Sequence, residues 1–196
     1  MDITVSVAAK RPKVAPECDV TLRVSAIANG SAELLDSVDA WSIIKQARVS
    51  PYESMRVWDE NDTPEGAATL RFDAAEFAIP QLGHIVENVL IQNTLLKVLD
   101  ECDVSLQFET KIESLPEADL VVGADGARSF VRELAGIKTN QWPYEQTALV
   151  THLSTEFDHD ETARQRFLRD GPLGMLPLAD GRISVVWSTT PDIAQQ

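Results

Sequence analysis

The stretch Leu120-Val-Val-Gly-Ala-Asp-Gly-Ala-Arg-Ser129, followed by Val131 and Arg132, decides how the chain is read. Three consecutive apolar residues predict a short buried strand over Leu120–Val122. Gly123 and Gly126 then bracket Asp125 in a tight turn, where glycine accepts φ > 0 without a Cβ clash. A helix is expected from about Arg128 to Ala135, which places Arg128 and Arg132 on one face. Such a strand–turn–helix presents a carboxylate and backbone amides to a ribose, a diphosphate or a flavin edge. It serves equally as a purely structural turn, and the residues alone leave both readings open.

Outward from this turn, strands and helices alternate. Ile3–Val7 reads as a strand, and residues 11–19 as a proline-containing loop. Ser31–Ala47 carries an apolar stripe (Leu34, Leu35, Val38, Trp41, Ile44) and reads as one helix with Ser31 as its N-cap. Met55–Trp58 and Thr69–Phe72 read as strands about a turn. Ile85–Asp100 is the strongest helical pattern, with Glu87 suited to the macrodipole at its start. Val104–Phe108 is a further strand. The last third is mainly β: Ala148–Ser154, Gln165–Leu168, Gly174–Leu178, and Ile183–Trp187 after the turn Asp180-Gly181. The pattern predicts an α/β (α+β) fold with an attached sheet domain.

Composition narrows the function. The 196 residues carry 17 Lys+Arg against 31 Asp+Glu, a net charge of −14. That argues against nucleic acid as a partner, which needs a basic face to displace counterions. No apolar run approaches the roughly 20 residues that span a bilayer. The chain is expected to be cytoplasmic, at most peripheral to a membrane. Cys18 and Cys102 form no CxxC, so neither a disulfide framework nor structural zinc is expected. His84, His152 and His159 show no ligand spacing, and no metal site is expected. Asp158 and Asp160 beside His159 read as a surface turn.

No GxGxxG or GxxxxGK[ST] occurs, and the first glycine is Gly30. Two other clusters carry polar groups. In Leu22-Arg-Val-Ser-Ala-Ile27 an arginine and a serine interrupt an apolar hexad; Arg23 snorkelling from a core strand explains it as well as ligand binding does. In Leu82-Gly-His-Ile-Val-Glu-Asn88, His84, Glu87 and Asn88 gather where the long helix is expected to start.

These segments, with Val57-Trp58, Gln165–Leu178 (QRFLRDGPLGMLPL) and Ser184–Ser188 (SVVWS), occur in an order that resembles the FAD-dependent aromatic hydroxylases. The nearest likeness is to their ubiquinone-biosynthesis branch, the 2-polyprenylphenol hydroxylases. The resemblance implies a partial FAD/NAD(P)-binding Rossmann-like layer (1–48 and 82–140) joined to a β-rich substrate-domain sheet (49–81 and 141–196). It implies FAD, NAD(P)H as co-substrate, O₂ adding to the flavin, and hydroxylation of a polyprenylated phenol ring. A ubiquinone-biosynthesis complex and self-association are the implied partners. By resemblance, Arg23, Asn88, Asp125 and Gly126 lie along FAD, with Arg128 and Arg132 behind them. Pro172, Leu173, Leu176 and Trp187 form an apolar substrate wall, and no catalytic residue is assigned.

The chain also departs from that family. It lacks the opening GxGxxG strand, has Ala8-Ala9 where an acidic residue holds a ribose, shortens the run from Ile112 to Leu120, and lacks the later Gly-Asp flavin motif. A fragment or truncated homologue is expected, binding FAD weakly by itself; a non-catalytic scaffold subunit is the alternative.

Overall fold

The computed structural model describes residues 3–7, 9–12 and 19–195, so Ala8 and Cys18 lie outside the described residues. In chain order the elements are β1 (Ile3–Ser6), β2 (Val24–Ala28), α1 (Asn29–Asp36), α2 (Trp41–Ala47), β3 (Ser50–Tyr52), β4 (Ser54–Asp59), β5 (Leu70–Asp73), β6 (Gly83–Glu87), α3 (Asn88–Asp100), β7 (Val104–Gln107), α4 (Phe130–Leu134), β8 (Thr147–Leu153), β9 (Thr162–Leu168), β10 (Gly171–Pro177), β11 (Ile183–Thr189) and α5 (Pro191–Ala194). They divide into two compact units, Met1–Pro12 with Leu99–Tyr144, and Lys13–Val98 with Glu145–Gln196. The mixed α+β class agrees with the sequence.

The larger unit holds two sheets. One is three-stranded, in the order β2-β6-β3, and antiparallel. Its central strand β6 is buried along its whole length. A Cβ on Gly83 would stand 2.8 Å from the Ile27 carbonyl oxygen, so glycine permits this close pairing. Val86 packs with Ala32, Ala40, Trp41 and Ile44 of the α1–α2 region, and Leu90, Ile91 and Leu95 of α3 close that core. Ile85, its neighbour in sequence, packs instead with Val20 and Leu178. Period-two alternation thus gives β6 a separate core on each face.

The second sheet has six strands in the order β5-β4-β9-β10-β11-β8. All its pairings are antiparallel except β4 with β9. Leu176 of β10 and the adjacent Leu178 reach Ile85 and Val20, which joins the two sheets within this unit.

The smaller unit pairs β1 with β7 in parallel, Ile3 opposite Val104 through Ser6 opposite Gln107. It also contains the Asp125 turn and α4. Arg11 pairs with Asp100 and lies over the Phe108 ring.

Four local expectations are corrected. The single helix over Ser31–Ala47 is two helices, broken near Asp39, whose φ is +58°. Trp41 and Ile44 keep the inward positions while Leu34 and Val38 are exposed, and Ala28, not Ser31, occupies the N-cap of α1. The helix expected from Ile85 starts at Asn88, because β2 and β3 both pair with Gly83–Glu87 and hold it extended. Leu120–Val122 is not a strand: among the described residues the sheet of β1 and β7 takes no third strand, and Leu120 is 78% exposed. The following helix begins at Phe130, later than expected, because Ser129 caps it.

Candidate functional site

Arg23 and Asn88 meet. Arg23 stands just before β2 and Asn88 opens α3, and the Asn88 backbone N–H donates to the Arg23 carbonyl oxygen at 3.0 Å. The Ser25 hydroxyl donates to Asn88 Oδ1 at 2.7 Å, which fixes the amide. The amide Nδ2 then keeps its donors for another acceptor. The Arg23 guanidinium is exposed and has no hydrogen bond or ion pair among the described residues. Two uncommitted donors therefore share the end of the β2–β6 ladder.

Glu87, one residue before Asn88, has a different task. Only 4% exposed, it accepts the Thr21 amide at 2.7 Å and the Arg48 Nε at 2.8 Å. Arg48 also donates to the Asp19 carbonyl oxygen, and the Asp19 carboxylate pairs with Arg182 at 2.7 Å. This chain of charges braces the segment that leads into Arg23. Arg48 was not singled out from sequence, because it stands within no motif, and Ser25 was noted only as the serine of the Leu22–Ile27 hexad. His84, on the opposite face of β6, meets the Trp41 ring edge-on at 4.9 Å. Burial first, and the Lys45 charge second, lower its pKa.

Asp125 and Gly126 lie in the smaller unit. The Asp125 carboxylate accepts the Ser129 hydroxyl, the Phe130 amide at 2.6 Å and the Val131 amide at 3.1 Å. These bonds, that from Ser129 first, hold its pKa below the usual carboxylate value. Asp125 thus satisfies the start of α4. Gly126 has φ +87°, and nothing lies within 4 Å of where its Cβ would be, so its backbone is open to approach. Arg128 and Arg132 border a shallow depression of about 300 Å³ with Thr139 and Gln141. Arg132 is also tied back to the Ala127 carbonyl oxygen at 3.0 Å.

The four apolar wall residues divide between the two faces of the six-stranded sheet. Leu173 pairs directly with Trp187 on one face. Pro172 and Leu176 lie on the other, as strand parity requires. Only the Leu176 face turns toward Ile85 of the three-stranded sheet. On that face Leu176 is opposite Ser184, and Ser184 is opposite His152. Ser184 Oγ and His152 Nε2 are buried without hydrogen-bond partners.

Among the described residues, no group of three or more His, Cys, Asp or Glu side chains could hold a metal ion. Nor is any described helix long and apolar enough to cross a membrane.

No family model matches the chain. Individual proteins do. It is 33% identical over 187 residues to 3-demethoxyubiquinol 3-hydroxylase of Escherichia coli, covering 87% of this chain and 46% of that protein. It is 38% identical over 202 residues to the ubiquinone biosynthesis monooxygenase COQ6, mitochondrial, of Danio rerio, covering 89% of this chain and 40% of that one. The chain thus spans less than half the length of these relatives. Among solved structures, PqsL from Pseudomonas aeruginosa superposes with a TM-score of 0.75 at 18% identity, over 98% of this chain and 55% of that one. The p-nitrophenol 4-monooxygenase PnpA from Pseudomonas putida gives 0.73 at 18% identity, over 97% and 52%. At such identities the structural matches establish the fold.

Proposed function

Because this chain is a homologue of the ubiquinone-biosynthesis branch of the FAD-dependent monooxygenases, we propose that it forms part of a hydroxylase acting on a polyprenylated phenol ring. The observation that carries the reading is the meeting of Arg23 and Asn88 at the end of the β2–β6 ladder. A guanidinium in a fixed fork suits phosphate oxygens, and the Asn88 amide suits a ribityl hydroxyl. These residues fit an FAD edge. The absence of any glycine before Gly30 fits a weak hold on the diphosphate by this chain alone. Bound FAD, reduced by NAD(P)H, would supply the activated oxygen. Pro172 and Leu176 supply an apolar face that excludes water from a ring and its prenyl tail. Gly126 offers open backbone to a nucleotide, while Asp125 acts through the turn it holds. The polyprenyl tail places the reaction at a membrane surface, and a quinone-synthesis assembly is the partner class this implies.

Two measurements test the proposal. In a fluorescence titration, FAD should bind the isolated chain no tighter than about 10 μM, and Arg23→Gln should weaken it about tenfold, the worth of one charged hydrogen bond. Submicromolar binding indifferent to Arg23 would remove FAD from the end of this ladder. Deleting the coding sequence in the cell that carries it should make an unhydroxylated polyprenylphenol accumulate, read by mass spectrometry. An unchanged quinone pool would overturn the function.

A further inference from the structure

Glu53 is the one residue between β3 of the three-stranded sheet and β4 of the six-stranded sheet, so the chain crosses from sheet to sheet there. The crossing is bound on both sides. The Glu53 and Ser54 amides donate to the Glu161 carbonyl oxygen at 2.9 and 3.3 Å, and the Glu53 carbonyl oxygen accepts the Ala74 amide at 2.8 Å. From this point β4 runs parallel to β9, with Ser54 opposite Thr162. A second joint between the sheets is Leu178, which is 2% exposed and packs with Ile85 and Val20. The short turn before β9 reaches both joints, Glu53 through Glu161 and Leu178 through His159.

Both ring nitrogens of His159 are engaged. Nε2 lies 3.1 Å from the Leu178 carbonyl oxygen, which can only accept, so Nε2 carries a hydrogen. The Glu161 amide donates to Nδ1 at 3.2 Å, so Nδ1 carries none. The two bonds together require a neutral ring in one tautomer. A protonated ring has a hydrogen on each nitrogen, and its Nδ1–H would point at the Glu161 N–H. The turn also holds Asp160 at φ +50° and Glu161 at φ +47°, a left-handed conformation that such residues keep only where their surroundings impose it. Charged groups stand on every element that meets the ring. They are Asp158, Asp160 and Glu161 in its own turn, Glu53 at the crossing, Arg164 of β9, and Asp180 with Arg182 beyond Leu178. Arg164 donates to the His159 carbonyl oxygen at 2.9 Å, and Asp180 pairs with Arg182 at 2.7 Å. Among the described residues no carboxylate forms an ion pair with the ring, so no ion pair compensates the lost Glu161 bond.

We infer that His159 is a proton-sensitive latch on the joint between the two sheets. Neutral, the ring fixes the Glu161 amide, and the Glu161 carbonyl oxygen in turn fixes the crossing at Glu53. Protonated, the ring keeps its bond to Leu178 and releases the Glu161 amide. Asp160 and Glu161 then leave the left-handed region, and the Glu161 carbonyl oxygen turns away from Glu53 and Ser54. The hold is complete where the ring is neutral and is lost as pH falls, in the range where histidine changes charge. The latch has a consequence that rests on the flavin reading given above. Pro172 and Leu176 stand on one sheet, and Arg23 and Asn88 meet at the other, so His159 is a positioning residue for the apolar wall relative to the flavin. The latch itself needs no flavin.

The test follows amide exchange by NMR on the whole chain without FAD, at pH 7.5 and 5.5, with rates corrected for the intrinsic effect of pH. Between the two, protection of the Glu53, Ser54 and Glu161 amides should fall about tenfold more than protection of the β10–β11 amides, which report general loosening. Two variants that do not titrate there separate the roles of the ring nitrogens. His159→Asn places an acceptor oxygen where Nδ1 stands and should keep the three amides protected at both pH values. His159→Gln reaches Leu178 but offers Glu161 no acceptor, and should leave them unprotected at both. Nitrogen shifts of the parent ring, which need no variant, should show Nε2–H at pH 7.5. An Nδ1–H ring would overturn the latch. So would protection in the parent that is indifferent to pH, or a fall of equal size in the parent and in His159→Asn. Because no flavin is present, a failed FAD titration leaves these readings intact, and a failed latch leaves the flavin reading intact.

Discussion

Glu87 and Arg48 form an ion pair at 2.8 Å in which the carboxylate is almost wholly buried and the guanidinium is 26% exposed. The pair links the last residue of β6 to the residue that ends α2, and Thr21 joins it by its backbone amide. A buried charge is tolerated only while its partners remain.

Removing Arg48 should therefore be expensive. Arg48→Met is expected to cost about 3 kcal/mol, because Glu87 is left charged in an apolar setting. Paired with Glu87→Leu, the loss should shrink, since two apolar groups then meet. Urea unfolding of the single and double variants gives the answer, and equal midpoints for Arg48→Met and the parent would show the pair to be idle.

His84 should make stability depend on pH near neutrality. Burial, then Lys45, holds its folded pKa below the ordinary value of about 6.5. The unfolded chain thus takes up the proton first as pH falls. The stabilisation is complete above about 6.5 and is lost as pH drops from there toward the folded value. The parent should lose urea resistance between pH 7.5 and 5.5, and His84→Gln should lose less. Parallel curves for the two would remove His84 as the cause.

At Gly126 the φ of +87° is unfavourable for any side chain, although nothing crowds the Cβ position. Gly126→Val should cost about 1–3 kcal/mol from backbone strain alone, and Gly126→Asn clearly less. A Val variant as stable as the Asn variant would show that the turn relaxes freely.

The smaller unit leaves Leu120, Val122, Trp142 and Tyr144 exposed, Tyr144 at 81%. Apolar surface gathered on one segment favours association. Light scattering should show mass rising with concentration in the micromolar range, more so in moderate salt, which screens the net charge of −14. The double variant Leu120→Ser with Trp142→Ser should be smaller at equal concentration. A monodisperse 21.6 kDa species throughout would contradict this.

Some of this structure was legible in the residues. The strands of the last third follow from alternation and from the Asp180-Gly181 turn, where Gly181 has φ +85°. The splitting of Pro172 and Leu176 from Leu173 was legible too, since residues an odd number apart on one strand cannot share a face, whereas Trp187 joins the Leu173 face only through the register of β10 with β11. The same parity would have aligned Arg164 with Arg166.

The tertiary structure alone decided the remainder. His84-Ile-Val-Glu87 suits a helix or a strand equally by its own pattern, and two flanking strands made it extended. Leu120-Val-Val122 suits a strand as well, and with no sheet edge pairing it, it remains coil. The partnership of Glu87 with Arg48, and of Asn88 with Ser25 and Arg23, joins residues 39 to 65 positions apart. Local sequence sets what each segment can be. Hydrogen bonds and ion pairs to distant segments select among those states, since a buried polar group is stable only where its partner is brought to it.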